Sequence, residues 1–127
     1  KGGPAESMFQ NTFHWNSVGD LPEGLFAGIV GAPAKNMFAS TFSRGDSGSS
    51  LTKIPKGLFA GISGAAELGM FFYTFFSISD LEGPSAKGKD GKYLYEIWPD
   101  AERAQVGGMY TGATGLSDYS DIPTNWK

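Results

Sequence analysis

Three side chains stand out as lone-pair donors in unusual company. They are His14 beside Trp15, Asn36 inside an apolar stretch, and Glu67, the one charge among the twenty-three residues from Gly57 to Ser79. An imidazole or a carboxamide can bind a metal through its lone pair, and a carboxylate can hold a hard metal or pair with a cation. Nothing near them completes a catalytic set. One histidine excludes a multi-histidine metal site and argues against a serine triad, which needs an imidazole held by a carboxylate. Cysteine is absent, which removes disulfides, thiolate metal sites and a thiol nucleophile. No phosphate loop of the Gly-x-x-x-x-Gly-Lys-Ser/Thr kind appears. The net charge is −3 with scattered basic residues, so the electrostatic footprint of a nucleic-acid binder is missing. A non-enzymatic role is expected.

The elements that would position these residues are repeated. Pro22-Glu23-Gly24-Leu25-Phe26-Ala27-Gly28-Ile29 returns 33 residues later as Pro55-Lys56-Gly57-Leu58-Phe59-Ala60-Gly61-Ile62, and thirteen of the twenty-one positions from Pro22 to Phe42 recur identically. An ankyrin reading of the period fails, because two copies are few for a solenoid and the Thr-Pro-Leu-His signature is missing. The chain divides into an N-terminal arm (1–20), a first repeat (21–43), a polar loop (44–53), a second repeat (54–82) and an extended C-terminal tail (83–127). Within the tail, Lys89–Lys92 reads as a tight turn, Tyr93–Trp98 as a short strand, and 100–105 as one or two helical turns.

The second repeat has the length of a membrane helix, which needs about 20 residues. Its nine Leu, Ile and Phe residues favour insertion by roughly 4 kcal/mol together, and a central acidic residue takes back about 2.5–3.5 kcal/mol. At helical spacing Gly57, Gly61, Ala65 and Gly69 form a small-residue stripe for a neighbouring helix or flat ligand, matched by Gly24, Gly28, Ala32 and Asn36. Glu67 falls on another face, near Ala60, Gly64, Phe71 and Thr74. The first repeat, broken by Pro33 and Lys35, suits an interfacial or re-entrant helix. The expected fold is therefore mainly α with extensive irregular segments: one transmembrane helix, a shorter interfacial or re-entrant helix, an extended arm and a tail.

The run Ile54-Pro55-Lys56-Gly57-Leu58-Phe59-Ala60-Gly61-Ile62-Ser63, followed by Ala65-Ala66-Glu67-Leu68-Gly69-Met70, resembles the lead-in and middle helix of the light-harvesting chlorophyll proteins of red-lineage algal plastids. Trp98-Pro99-Asp100-Ala101-Glu102-Arg103-Ala104 is similar to the run before that family's third helix. The signature helices carrying its paired Glu and Arg are absent, and the middle-helix glutamine falls on Phe72 or Ala39. The resemblance implies a reduced, duplicated relative, a linker or accessory subunit of a photosystem–antenna supercomplex in the plastid thylakoid membrane. It implies chlorophyll and carotenoid as cofactors. Its partners would be antenna proteins, photosystem core subunits and membrane lipid. Glu67, His14 and Asn36 become the candidate axial ligands of chlorophyll magnesium, with Lys35 or a partner neutralising Glu67 and Phe71-Phe72 and Phe75-Phe76 lining pigment. Two other readings remain open: a cofactor-free structural subunit of a large membrane complex, and a soluble glycine-rich binding domain.

Overall fold

The computed structural model describes residues 2–13, 19–43 and 51–127. The repeat proves to be one turn of a stack of coils. Backbone N–H groups of Asn36, Phe38, Ser40 and Phe42 donate to the carbonyls of Leu68, Met70, Phe72 and Thr74, at 2.8–3.0 Å. The intervening N–H groups of Met37, Ala39, Thr41 and Ser43 turn back three residues to Ala34, Asn36, Phe38 and Ser40. The carbonyls left over, those of Lys35, Met37, Ala39 and Thr41, accept from Ser7, Phe9, Asn11 and Phe13 on the preceding coil. From Asn36 to Thr41 every backbone donor and acceptor is thereby used, as a buried backbone requires.

The conformation that permits this alternation is a left-handed residue every fourth position. Ser7 and Asn11, Asn36 and Ser40, then Gly69, Tyr73 and Ser77 all have φ between 53° and 66°. Asn, Ser and Gly are the residues that tolerate or favour this region in turns. The same ladder continues from Gly69, Phe71, Tyr73, Phe75 and Ser77 to Ala104, Gln105, Gly107, Met109 and Thr111. We name the coils 1 (2–13), 2 (19–43), 3 (51–79) and 4 (80–112), with a closing segment 113–127. Parallel bridges at Gly2–Ile29, Gly31–Ile62, Lys53–Glu82 and Gly83–Leu116 keep them in register on the other sides.

The core is built from side-chain columns running through the stack. Phe13, Phe42, Phe75 and Tyr110 lie face to face at 5.3, 5.3 and 6.1 Å. Phe9, Phe38 and Phe71 form a second column at 5.4 and 5.5 Å. Phe26 and Phe59 pack between them from the Pro-x-Gly-Leu-Phe side. Each such aromatic pair adds about 0.5–1.5 kcal/mol beyond its buried area. Threonines stitch neighbouring coils: Thr41 Oγ1 donates to Phe9 O, and Thr74 Oγ1 reaches Phe38 O, both at 2.9 Å.

The mainly-α expectation is overturned. Among the described residues the α-helices are α1 (Leu94–Ile97) and α2 (Arg103–Val106), and none is long and apolar enough to cross a membrane. Gly57–Ser79 is neither a transmembrane rod nor any helix. Its hydrogen bonds run to coils 2 and 4, or back three residues, because left-handed residues at Gly57, Gly64, Gly69, Tyr73 and Ser77 break the helical path. The first repeat is likewise no interfacial helix. The expected strand at 93–98 contains α1 instead, whereas the helical turn expected within 100–105 is seen as α2. A tight 3-10 turn forms at Lys89–Gly91 as expected. The arm is also different: Gly2–Phe13 is a coil, and the tail folds back so that Trp126 is fully buried against Phe71 and Tyr110.

The small-residue stripe faces the chain itself. A Cβ on Gly61 would fall on the carbonyl oxygen of Ile29, and one on Gly115 on that of Leu81, both in the adjacent coil. Gly28, the equivalent of Gly61 one coil earlier, has open space around it. Gly61→Ala should therefore cost about 1–3 kcal/mol through overpacking, whereas Gly28→Ala should be neutral or slightly stabilising. Urea unfolding of the two variants measures the difference. Equal midpoints would show that the coils do not approach there.

Candidate functional site

Two of the three candidate ligands, Asn36 and Glu67, stand on adjacent coils, where Asn36 N–H donates to the Leu68 carbonyl. His14 lies outside the described residues. Glu67 is solvent-exposed, at the corner before the coil 3 ladder, and its backbone N–H faces the Met70 sulfur at 3.4 Å. Asn36 is a left-handed ladder residue whose side-chain oxygen occupies the space a Cβ on Gly69 would need. It is half-buried against the next coil. Lys35 pairs at 3.6 Å with Glu6, its neighbour in the stack, and not with Glu67. Both side chains are well exposed, so the pair contributes little. Among the described residues, no cluster of three His, Asp or Glu could hold a metal ion.

The most developed buried polar cluster is one that residue spacing alone did not suggest. Asp118, 6 % exposed, accepts from Ser85 N–H at 2.8 Å, Ser85 Oγ at 2.6 Å and Tyr95 OH at 3.0 Å. Nearby, the Tyr110 hydroxyl accepts from Ala86 N–H at 3.2 Å. A carboxylate held by three donors clamps the closing segment to coil 4. Burial, followed by the hydrogen bond to Asp118 and the charge of that carboxylate, raises the Tyr95 hydroxyl well above its ordinary pKa. Burial does the same to Tyr110, against a smaller opposing effect of the Ala86 hydrogen bond. The sequence signal for the clamp is the coil period itself, since residues 85 and 118 are 33 apart.

Beside this clamp the stack opens. No ladder bond joins 55–61 to 84–91 among the described residues, and a cleft of about 440 Å³ lies between them. Ile54, Pro55, Ala60 and Pro84 supply apolar walls, with Lys56, Lys87 and Asp90 also lining it.

Two further surfaces carry exposed apolar groups. On coil 3 the phenylalanine pairs divide: Phe71 and Phe75 are fully buried, whereas Phe72 and Phe76 flank Tyr73 on the outside, with ring centroids 4.1 and 4.8 Å from it. Tyr73 is 40 % exposed, and its ring lies where a Cβ on Gly108 would stand. The stacked equivalents of Tyr73 are Asn11, Ser40 and Gly108, all left-handed. A bulky aromatic in that conformation carries about 1–3 kcal/mol of backbone strain. At the coil 1 end, Phe9 and Phe13 are only half-buried beside Leu25, 38 % exposed, around an apolar groove of about 300 Å³.

Comparison with protein-family models, with curated proteins and with solved structures gives no match.

The clamp sets two expectations. Asp118→Ala strands the buried Ser85 N–H and should cost about 1–3 kcal/mol in urea unfolding. Tyrosine in an unfolded chain ionises near pH 10, and the fold holds Tyr95 and Tyr110 protonated beyond it. Their contribution is complete below about pH 10 and is lost as pH climbs past that value. Melting temperatures followed through that range should fall less steeply for Tyr95→Phe than for the parent chain. A parallel decline in both would show that Tyr95 is not held in this way.

Proposed function

We propose that this chain is a non-catalytic linker subunit that joins antenna proteins to a photosystem at the plastid thylakoid membrane. It would be held there by its partners and associated with a few chlorophylls and carotenoids. The setting rests on the resemblance of Ile54–Met70 to the light-harvesting proteins. The architecture changes how that resemblance is used, because those residues form turns of a coil where the family has a helix. Pigment would therefore lie against outer surfaces of the stack.

The observation that carries the linker reading is Tyr73. Where the neighbouring coils place residues suited to the left-handed region, coil 3 has a strained, exposed tyrosine flanked by two half-buried phenylalanines. Strain of that kind persists where a side chain is needed for contact. The aromatic face has the flat, apolar chemistry that suits a pigment ring or a subunit interface, and the groove at the coil 1 end offers a second contact on the same body.

Tyr73→Asn separates folding from contact. The variant should fold with unchanged stability, or gain up to about 1 kcal/mol from relief of strain. Incorporated into the native complex, it should lose cross-links to the neighbour that touches coil 3, together with any chlorophyll absorption attributable to this chain. Unaltered cross-links and pigment content would remove the aromatic face from the function. Native complex containing the parent chain but no pigment beside it would remove the pigment assignment and leave the cofactor-free linker.

A further inference from the structure

At the Pro-x-Gly-Leu corner, coils 2 and 3 are joined by Gly24 N–H, which donates to the Lys56 carbonyl at 2.9 Å. Gly57 is the equivalent residue one coil later. Among the described residues no carbonyl of coil 4 meets it, and its N–H has no acceptor. Gly57 lines the cleft of about 440 Å³ instead. That volume lies within the roughly 300–1,000 Å³ of small-molecule sites, which combine apolar walls with a few polar groups. The walls here are Ile54, Pro55, Ala60 and Pro84. Ser85 also lines the cleft, but its N–H and hydroxyl are both spent on Asp118.

Positive charge gathers at the same place. Lys56 and Lys87 line the cleft, and Lys53, Lys89 and Lys92 each adjoin a lining residue in sequence. These five are half of the ten Lys and Arg residues in a chain of net charge −3. Asp90 is the one carboxylate within 51–61 and 84–92. None of the five lysines forms an ion pair with a described residue, and the Lys87 ammonium sits 4.9 Å from the centre of the Tyr93 ring. Like charges beside low-dielectric walls repel one another and concentrate anions between them.

We propose that this cleft binds a small amphipathic carboxylate. Its hydrocarbon body would lie against Ile54, Pro55, Ala60 and Pro84, and its charge would answer Lys56 and Lys87 while accepting the Gly57 N–H. A wholly polar anion would leave the apolar walls in water. A neutral apolar molecule would leave the lysines and the amide unanswered. A bilayer surface fits less well, because none of the large apolar side chains exposed among the described residues (Met8, Leu25, Val30, Leu68 and Tyr73) lines the cleft. The site does not involve Tyr73, so its failure would leave the linker reading standing.

Decanoate, kept below its micellar concentration and titrated into the isotope-labelled full chain, should bind saturably. It should move the Gly57 amide proton downfield, as a new hydrogen bond does, with that of Gly24 moving less. Decanol should bind roughly tenfold more weakly, since the charge-assisted contact is lost. Lys56→Glu, at an exposed position, should weaken decanoate by a similar factor and decanol little. Added salt should weaken decanoate as well. Ala60→Phe, also at an exposed position, should abolish both by filling the cleft while leaving the circular dichroism unchanged. No saturable binding of decanoate, equal affinity for decanol, or resonance changes confined to the surroundings of Tyr73 would overturn the proposal. So would saturable binding of inorganic phosphate alone, or of anionic phospholipid vesicles without monomeric decanoate.

Discussion

A backbone ladder governs this molecule. Alternate N–H groups of one coil reach alternate carbonyls of the next, and the groups between them close three-residue turns within the coil. That division requires a left-handed residue at every fourth position, and it leaves the side chains between them to form continuous columns. The aromatic core follows from the ladder, because equivalent residues of successive coils must lie on one another. Glycine at Gly61 follows as well, since coils that share hydrogen bonds bring a carbonyl against the next chain. Stability in such a stack is close to a sum of neighbour contacts, so each coil depends on the one before and after it.

Part of this was legible in the residues. The 33-residue echo correctly marks a duplicated structural unit, and the glycines correctly mark close approach. The partner was misidentified. Phenylalanines at positions 71 and 75 are four apart, a spacing that fits one face of a helix and equally fits a four-residue turn repeat. What separates the two is the intervening residue at the left-handed position: Asn11, Ser40 and Gly108 favour it, and Tyr73 conceals it. A second echo would have exposed the pattern. Gly2–Phe13 matches Gly31–Phe42 at seven of twelve positions, with a 29-residue spacing, and it makes the arm a copy of the repeat.

The candidate sites were less legible, for a related reason. In a helix, functional partners lie three or four residues apart, whereas in a stack they lie one coil apart. Ser85 and Asp118, Gly64 and the Trp98 indole, and Phe9 and Thr41 are separated by 33, 34 and 32 residues. Glu67 looked conspicuous only because the apolar run around it was taken as one buried surface. Once that run folds into two sides of a coil, the carboxylate lies at a corner in water.

Scalar couplings across hydrogen bonds, measured by NMR on isotope-labelled chain, address the ladder most directly. The account predicts couplings from Phe38 N to the Met70 carbonyl carbon and from Phe71 N to that of Gln105. Couplings of residues 61–75 to carbonyls four positions earlier would instead establish a helix and contradict it.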